Sequence, residues 1–166
     1  MSVGRRILIA VAVVVLVNVI GATAAFFVAT RRSHPRTRGE VTVTGIDAPV
    51  EIIRDEQGIP HIYADSARDM YYAQGYVHAQ DRFWQMDFWR RIGAGRLSEL
   101  LGEATLSTDV FLRTMGFSGL ARREYERMAP GPRAALDAYV RGVNSYIAER
   151  APGQLSLEHG LLALQF

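Results

Sequence analysis

The sequence contains no cysteine and no lysine. Without cysteine, the chain cannot form a disulfide, a thiolate nucleophile, or a cysteine-ligated zinc or iron–sulfur site. Without lysine, it lacks a Schiff-base lysine, a Ser-x-x-Lys acylation pair and a P-loop lysine. All 19 basic residues are therefore arginines. These two absences exclude several common nucleophilic and phosphate-binding chemistries from the 166 residues.

The net charge of +2 comes from arginines that flank one apolar segment. Residues 1–38 hold six arginines and no acid, whereas after residue 38 there are 13 arginines and 17 acids, a balance of −4. A pI of 9.2 is typical of nucleic-acid-binding proteins, but here the basic charge lies beside the apolar segment. We therefore expect no nucleic-acid partner.

The apolar segment covers residues 7–29, which carry no charge and only one strongly polar side chain, that of Asn18. A helix of this length can cross a bilayer core of about 30 Å. Cleavage after a small-x-small site at residues 22–24 would make it a signal peptide, but the apolar run continues past that site. We favour an uncleaved signal anchor, with residues 1–30 as anchor or signal peptide, membrane contact through residues 7–29, and residues 31–39 as a tether.

After the tether, the sequence predicts an α+β arrangement. Residues 40–44, 50–54 and 60–64 are expected to form a short antiparallel β meander, with Pro60 at the start of an edge strand. Mainly α-helices are expected to follow, the first beginning at about Ala67 and ending before Gly93.

Finer signals mark the ends of these helices. Ser66 is the expected N-cap of the long helix and Asp69 the acid of a capping box. A short helical segment should stop at Gly102, and a broken helix over residues 108–128 should be interrupted at Gly116 and Gly119. A last amphipathic helix is expected over residues 133–147.

The long helix carries aromatic side chains on every face between residues 71 and 89. A helix that is apolar all round is normally buried on all sides. We therefore expect this helix to belong to a protein larger than the chain can form by itself.

The residues alone indicate no active site. No Gly-x-Ser-x-Gly elbow is present, and His61, His78 and His159 lie in different predicted elements. His78 and Asp81 share a helical face at a spacing that suits a metal or a base with its orienting acid, but we favour structural hydrogen bonds and ion pairs for them. For His61 we favour bonding to the backbone, with a place in a site as the alternative.

Other polar residues of the long helix are also read as structural. Gln80 and Arg82 are expected to make hydrogen bonds or ion pairs, because a buried helix needs its few polar groups paired. Asp81 and Asp87 face different ways, so they do not form the carboxylate pair of a glycosidase.

Three segments in a fixed order carry a family resemblance: residues 55–64 (DEQGIPHIYA), 72–87 (YAQGYVHAQDRFWQMD) and 95–102 (GRLSELLG). They resemble the start of the α-subunit region of penicillin acylases, also called penicillin amidases, which are N-terminal nucleophile hydrolases. The resemblance extends over about residues 40–165 and includes residues 137–147 (DAYVRGVNSYI). It implies that residues 40–166 are an incomplete, N-terminal part of an αββα fold.

The resemblance also implies a reaction. In this family an exported precursor cuts itself and exposes a serine at the N-terminus of its β-chain, with the serine's own α-amine as base. Such an enzyme hydrolyses linear amides of small N-acyl substrates, releasing an acid and an amine such as a β-lactam nucleus or a homoserine lactone. The expected partners are the remainder of the α-region and the β-chain, and the expected location is the cell membrane with an extracytoplasmic body, or the periplasm after cleavage. The excess of arginines after residue 29 would by itself favour a cytoplasmic body.

No catalytic, substrate-binding or metal-binding residue carries over to this chain. The nucleophile's Ser-Asn-x-Trp setting is absent, and the acyl pocket and the acid that binds a structural calcium in some members would fall beyond Phe166. No catalytic cofactor is implied. What matches is a set of scaffold residues: Gly58, Pro60, His61, Gln74, Gly75, Tyr76, His78, Gln80, Asp81, Arg82 and Gly102.

Two alternatives to the N-terminal part of an amidase remain open. One is a membrane-anchored, non-catalytic interaction module, and the other is a truncated pseudogene product. The module predicts that residues 39–166 are soluble and monomeric on their own, whereas we expect them to aggregate through the apolar surface of the long helix.

Overall fold

The computed structural model describes residues 3–162, except for the side chains of Ala29 and Pro152. The predicted segments at residues 1–30 and 40–166 extend to residues 1–2 and 163–166, which lie outside the described residues. The chain divides into two compact units. One contains the first and the last helices, and the other is Pro35–Ala151.

The first unit is built on helix α1, Val3–Ser33, against which the short helices α7, Pro152–Leu155, and α8, Leu157–Leu161, pack. α1 is long and apolar enough to cross a membrane, a test that a signal sequence also passes. Its polar side chains are satisfied internally: Asn18 and Thr23 donate to the carbonyls four residues earlier, each at 2.8 Å. Such internal pairing is compatible with a lipid environment.

The second unit begins with a β-hairpin. Strands β1, Glu51–Arg54, and β2, Pro60–Tyr63, pair antiparallel, with Ile52 opposite Ile62. The turn closes through Gly58, which has φ 79° and donates its N–H to the Asp55 carbonyl at 2.9 Å. The first predicted strand, at residues 40–44, is wrong, because these residues form no strand and lie along a helix instead.

That segment belongs to an N-terminal strap, residues 36–48, which runs antiparallel along helix α2, Ala67–Ala94. Gln80 donates to the Arg36 carbonyl at 2.7 Å, and the Tyr72 hydroxyl donates to the Thr44 carbonyl at 2.9 Å. The Asp69 carboxylate accepts the N–H of Asp47 at 3.0 Å and that of Ala48 at 3.3 Å. Four backbone groups of the strap, at residues 36, 44, 47 and 48, are thus paired with side chains of α2 and not with a neighbouring strand.

The start of α2 matches its predicted signal, but the helix continues through Gly93 and Ala94, beyond the predicted end before Gly93. The Ser66 hydroxyl accepts the Asp69 N–H at 3.0 Å, and Gly95 ends the helix in the left-handed conformation with φ 61°. The Asp69 carboxylate does not complete a capping box, because it holds the strap. The helix kinks at Arg82, where φ is −138° and ψ 25°.

Four more helices complete this unit: α3, Ser98–Leu101; α4, Leu106–Met115; α5, Phe117–Arg127; and α6, Pro130–Ala148. A 3₁₀ turn, Gly102–Thr105, joins α3 to α4. The predicted break at Gly116 is confirmed, but Gly119 lies inside α5. The proline at residue 130 starts α6, where its missing N–H costs no hydrogen bond.

The core lies where α2 crosses α6. The two backbones touch at two glycines: a Cβ on Gly75 would lie 2.0 Å from the Tyr139 carbonyl oxygen, and one on Gly142 would lie 1.9 Å from that of Tyr72. α2 is buried on the face that contacts α6. It is not buried all round in the described part of the chain, because Trp89 is 62% exposed.

Candidate functional site

Five of the eleven predicted scaffold residues, Gly58, Pro60, His61, Gln80 and Asp81, lie in the hairpin or where it meets α2. Arg54 at the end of β1 makes a two-pronged ion pair with Asp81, its two terminal nitrogens lying 2.9 and 2.8 Å from the carboxylate oxygens. The same guanidinium donates to the Gln80 side-chain oxygen at 2.8 Å and to the Gly58 carbonyl at 3.1 Å. We call Arg54, Gly58, Gln80 and Asp81 the hairpin node. Through Gln80, it also holds the strap.

The hairpin turn is stabilised by a second carboxylate. Asp55 accepts the N–H groups of Gln57 and Ile59 at 3.0 and 2.8 Å, and its other oxygen lies 3.1 Å from Nε2 of His61. The hydrogen bond from His61, followed by that from Ile59, lowers the pKa of the Asp55 carboxyl. The expected bonding of His61 to the backbone is therefore wrong, since its imidazole pairs with a carboxylate.

Two motif residues of α2 are directed to α6. Nδ1 of His78 lies 3.0 Å from the Tyr139 hydroxyl, and the Tyr76 hydroxyl donates to Glu149 at 2.9 Å. Burial, and then the hydrogen bond to Glu149, raises the pKa of Tyr76 to about 12. His78 and Asp81 contact different elements, so they form neither a metal pair nor a base–acid pair.

The remaining scaffold residues lie at element ends or on α2. Pro60 opens β2 opposite Arg54, Gln74 is half-buried on α2, and Gly102 ends α3 with φ 68°. Arg82 is exposed at the kink of α2.

Sequence reasoning missed two buried carboxylates. Asp109 on α4 is 2% exposed and accepts the N–H groups of Leu97 and Ser98 at 2.8 and 2.7 Å, which positions the start of α3. Asp87 is also 2% exposed and binds Arg90 and Arg91. The signal was present at Asp87, which precedes two arginines at helical spacing.

These networks join elements and present no reactive group. Every carboxylate described above accepts a hydrogen bond from arginine, histidine, tyrosine or backbone N–H groups. Within residues 3–162, no group of three or more His, Asp and Glu side chains could hold a metal ion. The chemistry available here is therefore structural: the networks fix the hairpin, strap and helices relative to α2.

A sequence model of the penicillin amidase family matches residues 49–166, which include the hairpin node, α2 and α6. The chain belongs to the penicillin amidase family. The expectation drawn from the three motif segments is thereby confirmed.

Two named relatives and one solved structure of this family are similar to the chain. It is 41% identical over 131 residues to the penicillin acylase 2 proenzyme of a Pseudomonas species. It is 36% identical over 115 residues to the acyl-homoserine lactone acylase QuiP of Pseudomonas aeruginosa. A thermostable penicillin G acylase from Alcaligenes faecalis matches with a TM-score of 0.63 and 32% identity, over 70% of this chain and 63% of that chain.

The chain spans only a small part of its penicillin amidase relatives. The match takes in 79% of this chain but 17% of the proenzyme, and 69% of this chain but 14% of QuiP. The solved Alcaligenes chain, of which 63% is covered, is therefore several times shorter than the proenzyme.

Replacing Arg54 by lysine tests the hairpin node. An ammonium group cannot reach both oxygens of Asp81, Gln80 and Gly58 in the planar geometry of a guanidinium. We expect the free energy of unfolding to fall by about 1 kcal/mol, because these partly buried contacts are lost while the charge is kept. The measurement is urea unfolding followed by circular dichroism in a detergent that keeps α1 soluble.

The matched control is Arg68→Lys, since the Arg68 side chain is 48% exposed in its ion pair with Asp47. An equal loss of stability in both variants would show that the planar geometry of Arg54 is unimportant.

Proposed function

We propose that this chain is the N-terminal part of the α-region of an amidase that hydrolyses linear amide bonds of N-acyl substrates. The observation that carries the proposal is the family match over residues 49–166. Similarity to both a penicillin acylase and an acyl-homoserine lactone acylase points to a β-lactam side chain or an N-acyl homoserine lactone as the substrate class.

The proposed nucleophile is a serine in a part of the enzyme that follows these residues, exposed at a new N-terminus by self-cleavage. Its α-amine takes the hydroxyl proton while the oxygen attacks the amide carbonyl, and the amine product leaves with that proton. Water then hydrolyses the resulting acyl-serine ester, which releases the carboxylic acid and restores the serine. An oxyanion hole stabilises the tetrahedral intermediate. Support for a cleaved precursor comes from the relative named a proenzyme and from the much shorter solved chain.

The residues of this chain would serve that enzyme as scaffold. α4 carries four exposed apolar side chains, with these exposed fractions: Leu106 51%, Val110 58%, Phe111 60% and Met115 55%. Exposed apolar surface of this kind marks an interface. It supports the proposal that the remainder of the α-region and the β-chain pack against this unit.

The test is amide hydrolysis by the full-length precursor. Phenylacetylated β-lactam and N-acyl homoserine lactone are offered separately, and product formation is measured together with the appearance of the processed chain. We expect a processed enzyme to hydrolyse one class, and the variant with serine replaced by alanine at the new N-terminus to hydrolyse neither. Unprocessed, inactive protein would instead support the non-catalytic interaction module.

For location, we propose a body outside the cytoplasm, attached to the membrane by α1 or released into the periplasm by cleavage. Fusion of alkaline phosphatase after residue 48 reports the side, because the reporter is active only outside the cytoplasm. A structural calcium in the longer protein is likewise a proposal, with ligands outside this chain.

A further inference from the structure

The strap begins with a short basic loop, residues 36–39, which belongs to the second unit and is attached to it by a hydrogen bond. The carbonyl of Arg36 accepts from Gln80 at 2.7 Å, and Gln80 itself accepts from Arg54 in the hairpin node. The Nε of Arg36 donates to the Arg38 carbonyl at 3.1 Å. The predicted tether of residues 31–39 is therefore fixed to α2 from Arg36 onward.

The side chains of this basic loop face solvent. Arg36 and Arg38 are both exposed. The Arg36 guanidinium lies over Gly39, where a Cβ would be 2.8 Å from Nη2. Gly39 has φ 88°, so any other residue would strain the loop as well as displace the arginine. The loop thus presents two arginines on a fixed backbone.

The position of the basic loop in the sequence, directly after α1, indicates which surface it contacts. α1, which has the length and composition of a membrane span, ends at Ser33, and only His34 and Pro35 separate it from Arg36. Arg31 and Arg32 precede the loop, and no acid occurs before Glu40.

We propose that the basic loop binds the phosphate groups of anionic phospholipids at the membrane surface and holds the body against the bilayer. This inference rests on the proposed membrane attachment through α1. A guanidinium binds phosphate with two parallel hydrogen bonds, and a basic residue near an anionic bilayer increases binding about five-fold. Because Gln80 fixes the loop to α2, lipid binding by the loop also orients the body.

The absence of cysteine makes a direct test possible, because Thr37→Cys carries a single fluorescent label in the full chain. The labelled chain is placed in vesicles of phosphatidylcholine alone or with phosphatidylglycerol, each containing a lipid spin-labelled at the headgroup. We expect the label to be quenched more strongly in vesicles that contain phosphatidylglycerol. The double variant Arg36→Gln/Arg38→Gln should lose this difference between the two vesicle types. The control Arg122→Gln/Arg123→Gln removes the same charge from exposed positions of α5 and should keep the difference.

The outcomes separate the two proposals. A chain washed off the vesicles at alkaline pH overturns both the membrane attachment and the lipid-binding loop. If the chain stays on the vesicles but its label is quenched equally in the two vesicle types, only lipid binding by the basic loop is overturned. The same conclusion follows if both double variants lose the difference in quenching to the same extent.

Discussion

Replacing Gly75 by alanine is expected to lower the free energy of unfolding by about 3 kcal/mol, because it forces α2 and α6 apart. The new Cβ would lie 2.0 Å from the Tyr139 carbonyl oxygen and 2.9 Å from the carbonyl carbon. These are backbone atoms inside a helix, so no side chain can rotate away. The separation would also loosen the edge-to-face contact of Tyr76 with Tyr146, whose ring centroids are 5.3 Å apart.

The matched control is Gly93→Ala, also within α2. A Cβ there meets no atom within 4 Å, and alanine is favoured over glycine inside a helix by about 0.5–1 kcal/mol. The two alanine variants are therefore expected to change stability in opposite directions in urea unfolding. A Gly75→Ala variant as stable as Gly93→Ala would show that the helices do not cross at these glycines.

The reciprocal glycine adds a further test. Gly142→Ala should cost a similar amount, because its Cβ would lie 1.9 Å from the Tyr72 carbonyl oxygen. One separation of the helices relieves both contacts, so the double variant should cost less than the sum of the single ones. Strict additivity would argue against a shared contact.

Asp87→Ala is expected to cost about 3–5 kcal/mol, since it leaves a buried cation without its main partner. Asp87 Oδ2 lies 2.8 Å from Nε of Arg91, a residue only 4% exposed. Arg91 would keep Glu99, 2.6 Å from its Nη1, but that carboxylate is 41% exposed and also binds Arg96. Thermal or urea unfolding of the variant measures the loss.

Two controls separate the lost charge pair from a packing defect. Glu126→Ala, an exposed acid on α5, should change stability by less than about 0.5 kcal/mol. Asp87→Leu/Arg91→Met removes both charges and should recover most of the loss, because the desolvation cost disappears with the pair. A double variant as unstable as Asp87→Ala would show that packing, and not charge, dominates.

The Asp87 pair also predicts a pH dependence. Burial raises the pKa of the carboxyl, but hydrogen bonds from Arg91 and Arg90 more than offset this and leave it below the ordinary 3.8. The stabilisation by ionised Asp87 is therefore full above pH 3.8 and is lost as the pH falls through the lower pKa of the folded state. Asp87→Asn should flatten the dependence of unfolding free energy on pH in that range.

Local sequence signals predicted much of the helical framework. Ser66 marks the start of α2 because a hydroxyl N-cap acts within one helical turn. The predicted end before Gly93 falls two residues short, because the helix stops only at Gly95, the glycine in the left-handed conformation. The hairpin turn follows equally from Gly58 and Pro60. Residues 40–44 alternate as a strand would, yet they follow α2, because alternation does not say whether a sheet or a helix supplies the partner.

The sequence by itself determined the family, the hairpin, the start of α2 and the absence of cysteine and lysine chemistry. Only the tertiary structure decided which groups meet: Gly75 with the backbone of α6, Gln80 with the strap, Asp81 with Arg54, and His61 with Asp55. The physical reason is that caps and turns are made by neighbouring residues, whereas ion pairs and helix crossings join residues far apart in the chain. In the structure, the scaffold motif therefore serves to attach the hairpin, the strap and α6 to α2.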